Sequence, residues 1–405
     1  MRYLVFLLAL PLAAQTFEQR GYLETRSFFY PREVEGDSAN YVGEALARWE
    51  SSWQLRANLR LNVWLDGRFD THRQFEREAR LDFADQRQQR PAASARRISL
   101  LWNKGGWTLE TGRQFIRWGK ADLLNPTDRF APRDFLNVFT PEFLGITAVR
   151  ATYERGSDTM DLVYAPVFTP SRSPLLNQRW VVLPEEARGL PIEDQGFRLP
   201  DRAQAGARWN HLGSGYEFSL SFFDGFNHLP LIDATPRLVP TPGLGVERYF
   251  ARMRMYGADV AAPTRWFTLK GEAAYFTSTT PEADEYVQYV VQAERMVAEW
   301  VFVGGYAGEQ ITNLRNPLDF APDRGITKTF LGRVSYNIDP LSSAAFEGAL
   351  RQNGAGFYGK WEYSRMAGRH WRWSAGFVLI RGEPDDFLGQ FRENSHAIFT
   401  LRYSF

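Results

Sequence analysis

Cysteine is absent from all 405 residues, so neither a disulfide framework nor a thiolate metal site is available to this chain. Lysine is nearly absent as well. It occurs only at 104, 120, 270, 328 and 360, so 48 basic residues less 5 lysines leaves 43 arginines. The planar, permanently charged guanidinium suits fixed fields and bidentate carboxylate contacts. Net charge is only +1, which argues against a general affinity for nucleic acid. The 5 histidines stand apart at 72, 211, 228, 370 and 396, with no pair at ligand spacing, so no metal or other cofactor is expected. No glycine-rich phosphate loop follows a strand and opens a helix. Beyond the N-terminus, no apolar run approaches the ~20 residues of a membrane helix.

The N-terminus is the one short exception. In "MRYLVFLLALPLAAQ" an Arg precedes a brief apolar run, then Pro11, small residues and Gln15. That pattern fits a secretory signal with cleavage near Ala14. Residues 1–14 are therefore expected to be removed, leaving 15–405 as one exported domain without a helical span.

What the chain does have is a two-residue rhythm. In "GYEFSLSFFDGF", Tyr216, Phe218, Leu220 and Phe222 share one face, and Glu217, Ser219 and Ser221 the other. Phe267, Leu269, Gly271, Ala273 and Tyr275 likewise oppose Thr268, Lys270, Glu272 and Ala274. This is the period of a strand with one apolar face. Links between these strands alternate short and long. Short ones fall at 57–58, 103–106, 154–158, 211–215, 261–264, 293–295, 339–343 and 366–370. Long ones fall at 31–42, 71–94, 119–143, 169–202, 227–245, 278–284, 309–326 and 382–394, with a compact exception at 352–355. Such asymmetry marks a transmembrane antiparallel β-barrel, with tight periplasmic turns and long extracellular loops. Folding 48–69 at Ala57-Asn58 gives about eighteen strands, with sixteen as the alternative count. Trp102, Trp107, Tyr216, Trp266, Trp371, Trp373 and Tyr403 cluster near the short turns, as an interfacial girdle should. The last strand, "HAIFTLRYSF", alternates into a terminal Phe405. Such an ending resembles the sorting signature of outer-membrane barrels, implying recognition by the barrel-assembly machinery and a place in the outer-membrane lipid.

A barrel this wide encloses an aqueous passage rather than a packed core. Its inward faces would carry Glu217, Ser219, Ser221, Thr268, Lys270, Glu272, Arg333, Ser335, Lys360, Glu362, Thr400 and Arg402, a wettable wall of mixed charge. The stretch "GRQFIRWGKADLLNPTDRF" breaks the rhythm after Gly112. A bulge at Gly112-Arg113 would restore the phase, turning Ile116 and Trp118 outward and Arg113 and Arg117 inward. The following link, 119–143, holds Lys120, Asp122, Asp128, Arg129, Arg133, Asp134 and Glu142 and is stiffened by Pro126, Pro132 and Pro141. The expectation is that it folds into the lumen, with Arg113 and Arg117 facing it and pairing partly with its carboxylates. There Arg113, Arg117, Lys120, Asp122, Asp128, Arg129 and Asp134 would form a constriction in contact with small polar solutes, with a net positive potential. "NPTDRFAP" at 125–132 is echoed by "NPLDFAP" at 316–322.

The segment "GRQFIRWGKADLLNPTDRFAPRDF" resembles the Gly-Arg-Gln, Trp-Gly, Asp, Asn-Pro-x-Asp pattern of porin-like outer-membrane proteins of the DUF1302 and alginate-export type. The likeness rests on Arg113, Gln114, Trp118, Asp122, Asn125 and Asp128. It implies a passive pore or exporter with a basic lumen.

Other classes fit less well. Ser395 and His396 are adjacent, which in a strand sends them to opposite faces, so no hydrolytic triad is expected. Few residues separate the signal from the first strand, leaving no room for the plug of an energised transporter. The serious rival is a non-conducting barrel acting as receptor, adhesin or scaffold, with 71–94 and 169–202 (including Trp180, Val181 and Val182) as its contact surface. Sequence alone leaves the oligomeric state open.

Overall fold

The computed structural model describes residues 16–77, 81–82, 84–176, 178–183, 189–237, 242–315 and 324–405. The expected signal segment 1–14 and the echo at 316–322 lie outside them. Within them, eighteen antiparallel strands close into a barrel. These are β1 Thr16–Phe29, β2 Tyr41–Arg56, β3 Leu59–Asp70, β4 Ala93–Lys104, β5 Trp107–Gln114, β6 Ile146–Arg155, β7 Asp158–Ala165, β8 Gln204–Gly213 and β9 Tyr216–Phe226. They continue as β10 Arg252–Pro263, β11 Thr268–Thr277, β12 Glu285–Val297, β13 Trp300–Asn313, β14 Thr329–Asp339, β15 Ser342–Arg351, β16 Gly356–Ala367, β17 Trp371–Gly382 and β18 His396–Ser404. Each strand pairs with its chain neighbour, and β18 closes on β1 from Tyr22↔Ser404 to Phe29↔Ala397. Closure leaves no sheet edge with unpaired backbone groups, the condition for crossing a bilayer with strands. The end of the chain finishes the seam. Phe405 exchanges two backbone hydrogen bonds of 3.0 Å with Gly21, and its ring covers Gly21, where a Cβ would come within 2.6 Å of it.

Alternation sorts the faces as expected. Leu220, Phe222, Leu269 and Tyr275 are exposed on the outside, whereas Ser219, Ser221 and Glu272 are buried within. Outward rings gather beside the short turns: Trp107 lies on Tyr153, Trp300 on Tyr336 and Trp371 on Tyr403. Gly105 and Gly106 both have positive φ, 57° and 84°, the conformation a two-residue hairpin needs. The Ala57-Asn58 hairpin, placed by strand parity, is present.

Three expectations are corrected. The β12–β13 hairpin turns at Ala298-Glu299, not at 293–295, because Val297 pairs with Trp300. Ala298 supplies the positive φ (50°) usually left to glycine, so no glycine marked the turn. Next, Gly112-Arg113 carries no extra residue: β4–β5 pairing is unbroken from Ile98↔Arg113 to Lys104↔Trp107. Phase is instead changed by Gly112 at φ 110°, while the bulge sits opposite, where β3–β4 pairing skips Arg96. Finally, Ile116 and Trp118 do not face outward. They are 1% and 2% exposed, inside an apolar cluster with Phe130, Phe223, Met255 and Phe276. The chain leaves the wall after Gln114, so the strand rule no longer governs them.

The lumen is accordingly not wet throughout. Near their external ends β9–β12 present Phe223, Met253, Met255, Phe276 and Tyr286 inward, and 116–130 packs on them. Farther along the same loop, Val138 and Phe139 join a second cluster made by Phe28, Val42, Tyr358, Val378 and Ile380 of β1, β2 and β16–β17 with Tyr30, Trp180 and Phe391 from the connections. Phe139 stacks on Tyr358, centroids 4.6 Å apart at 10°. The 115–145 link therefore crosses the bore from one wall to the other.

Candidate functional site: the constriction and its charged wall

The seven expected constriction residues all lie inside the barrel, in three separate settings. Lys120 and Asp122 are fixed to the β8–β12 wall. The Lys120 ammonium reaches Glu217 at 2.9 Å and Asp259 at 3.0 Å, and Asp122 accepts from Lys270 at 2.6 Å and from Gln292 at 2.6 Å. Between them, the Glu272 carboxylate accepts from the backbone N–H groups of Lys120 (3.1 Å) and Thr127 (2.8 Å) and from the Thr127 hydroxyl (2.8 Å). This end of the loop is held by reciprocal charge contacts, and its ions are already paired.

Arg113 and Asp134 belong to a second group, and Arg113 does not pair with the 119–143 loop as expected. It bonds Asp85 of the 71–92 link at 2.7 Å. Asp85 also binds Arg172, Arg172 reaches Asp134 at 3.2 Å, and Asp134 and Glu44 both hold Arg90, at 2.8 and 3.0 Å. Among the described residues three arginines meet three carboxylates, so their charges balance, and the network pins three external loops together. Burial alone would raise Asp134, but Arg90 and then Arg172 hold its carboxyl down to about 2.

The third setting lies between. Asp128 accepts from Arg117 at 2.5 Å and from the Trp118 N–H at 2.9 Å. Arg117 lies over the Phe143 ring at 3.6 Å and Arg133 over the same ring at 4.5 Å, while Arg129 covers Phe276 at 5.0 Å. Among the described residues Asp128 is the carboxylate in ion-pair contact with this trio, and it contacts Arg117 alone. Three guanidiniums against one carboxylate leave +2. Burial, with Arg117 and Arg129 nearby, pushes Arg133 down to about 10 despite Asp128. Burial raises Asp128 in spite of Arg117.

Sequence reasoning missed the wall beside this trio. Glu142 bridges Arg26 (3.2 Å), Arg68 (2.7 Å) and Arg96 (3.3 Å). Asp66 takes Arg48 at 2.7 Å and Arg68 at 3.1 Å, and Glu24 joins Arg26 at 2.7 Å to Arg402. Five arginines (26, 48, 68, 96 and 402) thus face three carboxylates, again +2. Burial of Glu142 is outweighed by Arg68 and Arg26, which hold its carboxyl well below the usual range. The signal was available. Glu24 and Arg26, Glu44 and Arg48, and Asp66 and Arg68 share inward parity on three successive strands.

This barrel is similar to the outer membrane protein OpdK from Pseudomonas aeruginosa. The TM-score is 0.52 at 8% identity, covering 96% of this chain and 99% of that one. A looser superposition, TM-score 0.45 at 10% identity, relates 96% of the chain to all of a mutant of the Rh. blastica porin. The fold is that of an outer-membrane porin. No protein-family model and no curated protein matches the chain.

Proposed function

We propose that this protein is an outer-membrane channel for passive diffusion of small polar, anionic solutes, with an arginine-lined lumen narrowed by the 119–143 loop. One observation carries the reading. Among the described residues the trio and the β1–β4/β18 network each hold two more guanidiniums than carboxylates, and they meet where Phe143, under Arg117 and Arg133, follows Glu142 in the loop. An uncompensated charge inside a low-dielectric wall concentrates counter-ions. The most open of these side chains, Arg117 and Arg402, are 42% and 36% exposed and are the ones a passing anion meets. Likeness of residues 112–135 to the alginate-export type implies the same kind of basic passage.

Purified protein in planar bilayers under a salt gradient should give a reversal potential on the anion side. A charge at 4 Å is worth about 1 kcal/mol in water, so Arg117→Gln with Arg402→Gln should lower anion-over-cation permeability by roughly fivefold for each charge removed. Cation preference in the native chain would overturn the reading. The crossing of the bore by the loop favours the alternative of a non-conducting barrel acting as receptor, adhesin or scaffold, and channels that stay silent would establish it.

A further inference from the structure

We propose that the inner wall of β8–β10 is a binding site for primary ammonium groups, filled in the folded chain by the loop's own Lys120. The Lys120 Nζ lies 2.8 Å from Asn210 Oδ1, 3.0 Å from Ser219 Oγ, 2.9 Å from Glu217 Oε1 and 3.0 Å from Asp259 Oδ1. An ammonium has three donors and no acceptor, so four converging oxygens from three adjacent strands saturate it. The oxygens are themselves held in place. Ser219 Oγ donates to Asn210 Oδ1 at 2.7 Å, and Arg208 bonds Ser219 Oγ and Asp259 Oδ2, each at 2.9 Å. Two carboxylates balance two cations, so taking away the Lys120 charge leaves one negative charge and a space shaped for an R–NH3+ group. The cage does not depend on Lys120 for its shape, because its walls are strand residues and the backbone beside it stays tied to Glu272. Glu217 keeps 39% of its side chain exposed, which opens the cage to the bore.

The ligand class follows from the chemistry. It must bring N–H donors to oxygens 2.8–3.0 Å away, which excludes quaternary ammonium, whose methyl groups hold the nitrogen farther off. It must also bring a short apolar stem to replace the lysine methylenes.

Lys120→Ala deletes three methylenes and the ammonium, the atoms of n-propylammonium. This test reads thermal unfolding in detergent and so is independent of whether the barrel conducts. The variant's midpoint should fall by about 2–4 °C. n-Propylammonium at on the order of 10 mM should recover half of that or more, with no effect on the native chain. Tetramethylammonium should recover nothing, and Lys120→Ala/Glu217→Gln should lose the recovery. An equal response to both ions, recovery that survives in the double variant, or no recovery would each overturn the proposal. Should Lys120→Ala not fold, acylation of the native chain by a water-soluble ester decides. Lys120 should react at least tenfold more slowly than Lys328, whose side chain is 50% exposed, and Glu217→Gln should speed it. Equal rates for the two lysines would overturn the proposal.

Discussion

The β1–β4 side of the bore and the β9–β12 side meet the same loop in opposite ways. On the first side the contacts are ionic and leave charge over, with five arginines sharing Glu24, Asp66 and Glu142. On the second the loop packs through an apolar core, Phe130 sitting edge-on to Trp118 and Phe223 at 5.2 and 4.9 Å, and the ions flanking it, Lys120 with Glu217 and Asp259 and Asp122 with Lys270, are balanced. The difference separates two tasks. Apolar burial fixes where the loop lies, because packing tolerates little displacement. Surplus guanidinium fixes the potential beside it, which packing cannot do.

The largest way to break this division is Phe130→Ala. Removing a fully buried ring costs about 3–5 kcal/mol. Chemical unfolding in detergent should show that loss, and bilayer recordings should show larger, noisier currents with the ion preference little changed. A changed preference at unchanged noise would mean that position and potential are not separable.

Acid sharpens the comparison. Asp134 has a lowered folded value of about 2, so its contribution, about 2–3 kcal/mol, is complete above roughly pH 4 and drains away as pH falls towards 2. Asp128 is raised, so the sign reverses. Its buried charge is a cost at neutral pH, and it takes up a proton before Asp134 does. Acidification should therefore first free Arg117 and increase anion preference, and only below about pH 4 destabilise the loops. Asp128→Asn should abolish the first step in the permeability ratio and leave the second in the unfolding curve.

The smallest effect belongs to the wall away from both regions. Lys360 and Glu362 pair at 3.0 Å, both partly exposed. Lys360→Ala should change stability by less than about 1 kcal/mol and leave the permeability ratio where it was. A shift as large as that of the Arg117 and Arg402 pair would locate the selective field on the wrong wall.

Much of the fold was legible because a strand's two-residue period is read directly from residue type, and a closed barrel must return an even number of times. Ala57-Asn58 follows from that parity without a strong turn signal. What the period cannot do is distinguish lipid from a folded loop as the partner of an apolar side chain. Ile116 and Trp118 were misassigned for that reason, and the apolar lining at Phe223, Met255 and Phe276 went unseen. The site was half legible. Charge content placed the loop in the lumen, but pairing depends on three-dimensional neighbours. Arg113 thus went to Asp85 rather than into the loop, and Lys120 into the β8–β10 wall.

The loop anchored on Phe223 at one end and Tyr358 at the other acts as a strut across a tube. A hollow cylinder of strands flattens readily under lateral pressure, whereas one braced across its width keeps a round section. Excising residues 119–143 would then do more than clear an obstruction. It would let the cross-section ovalise, so the current through a truncated barrel measures a reshaped opening and not the native one with its contents removed.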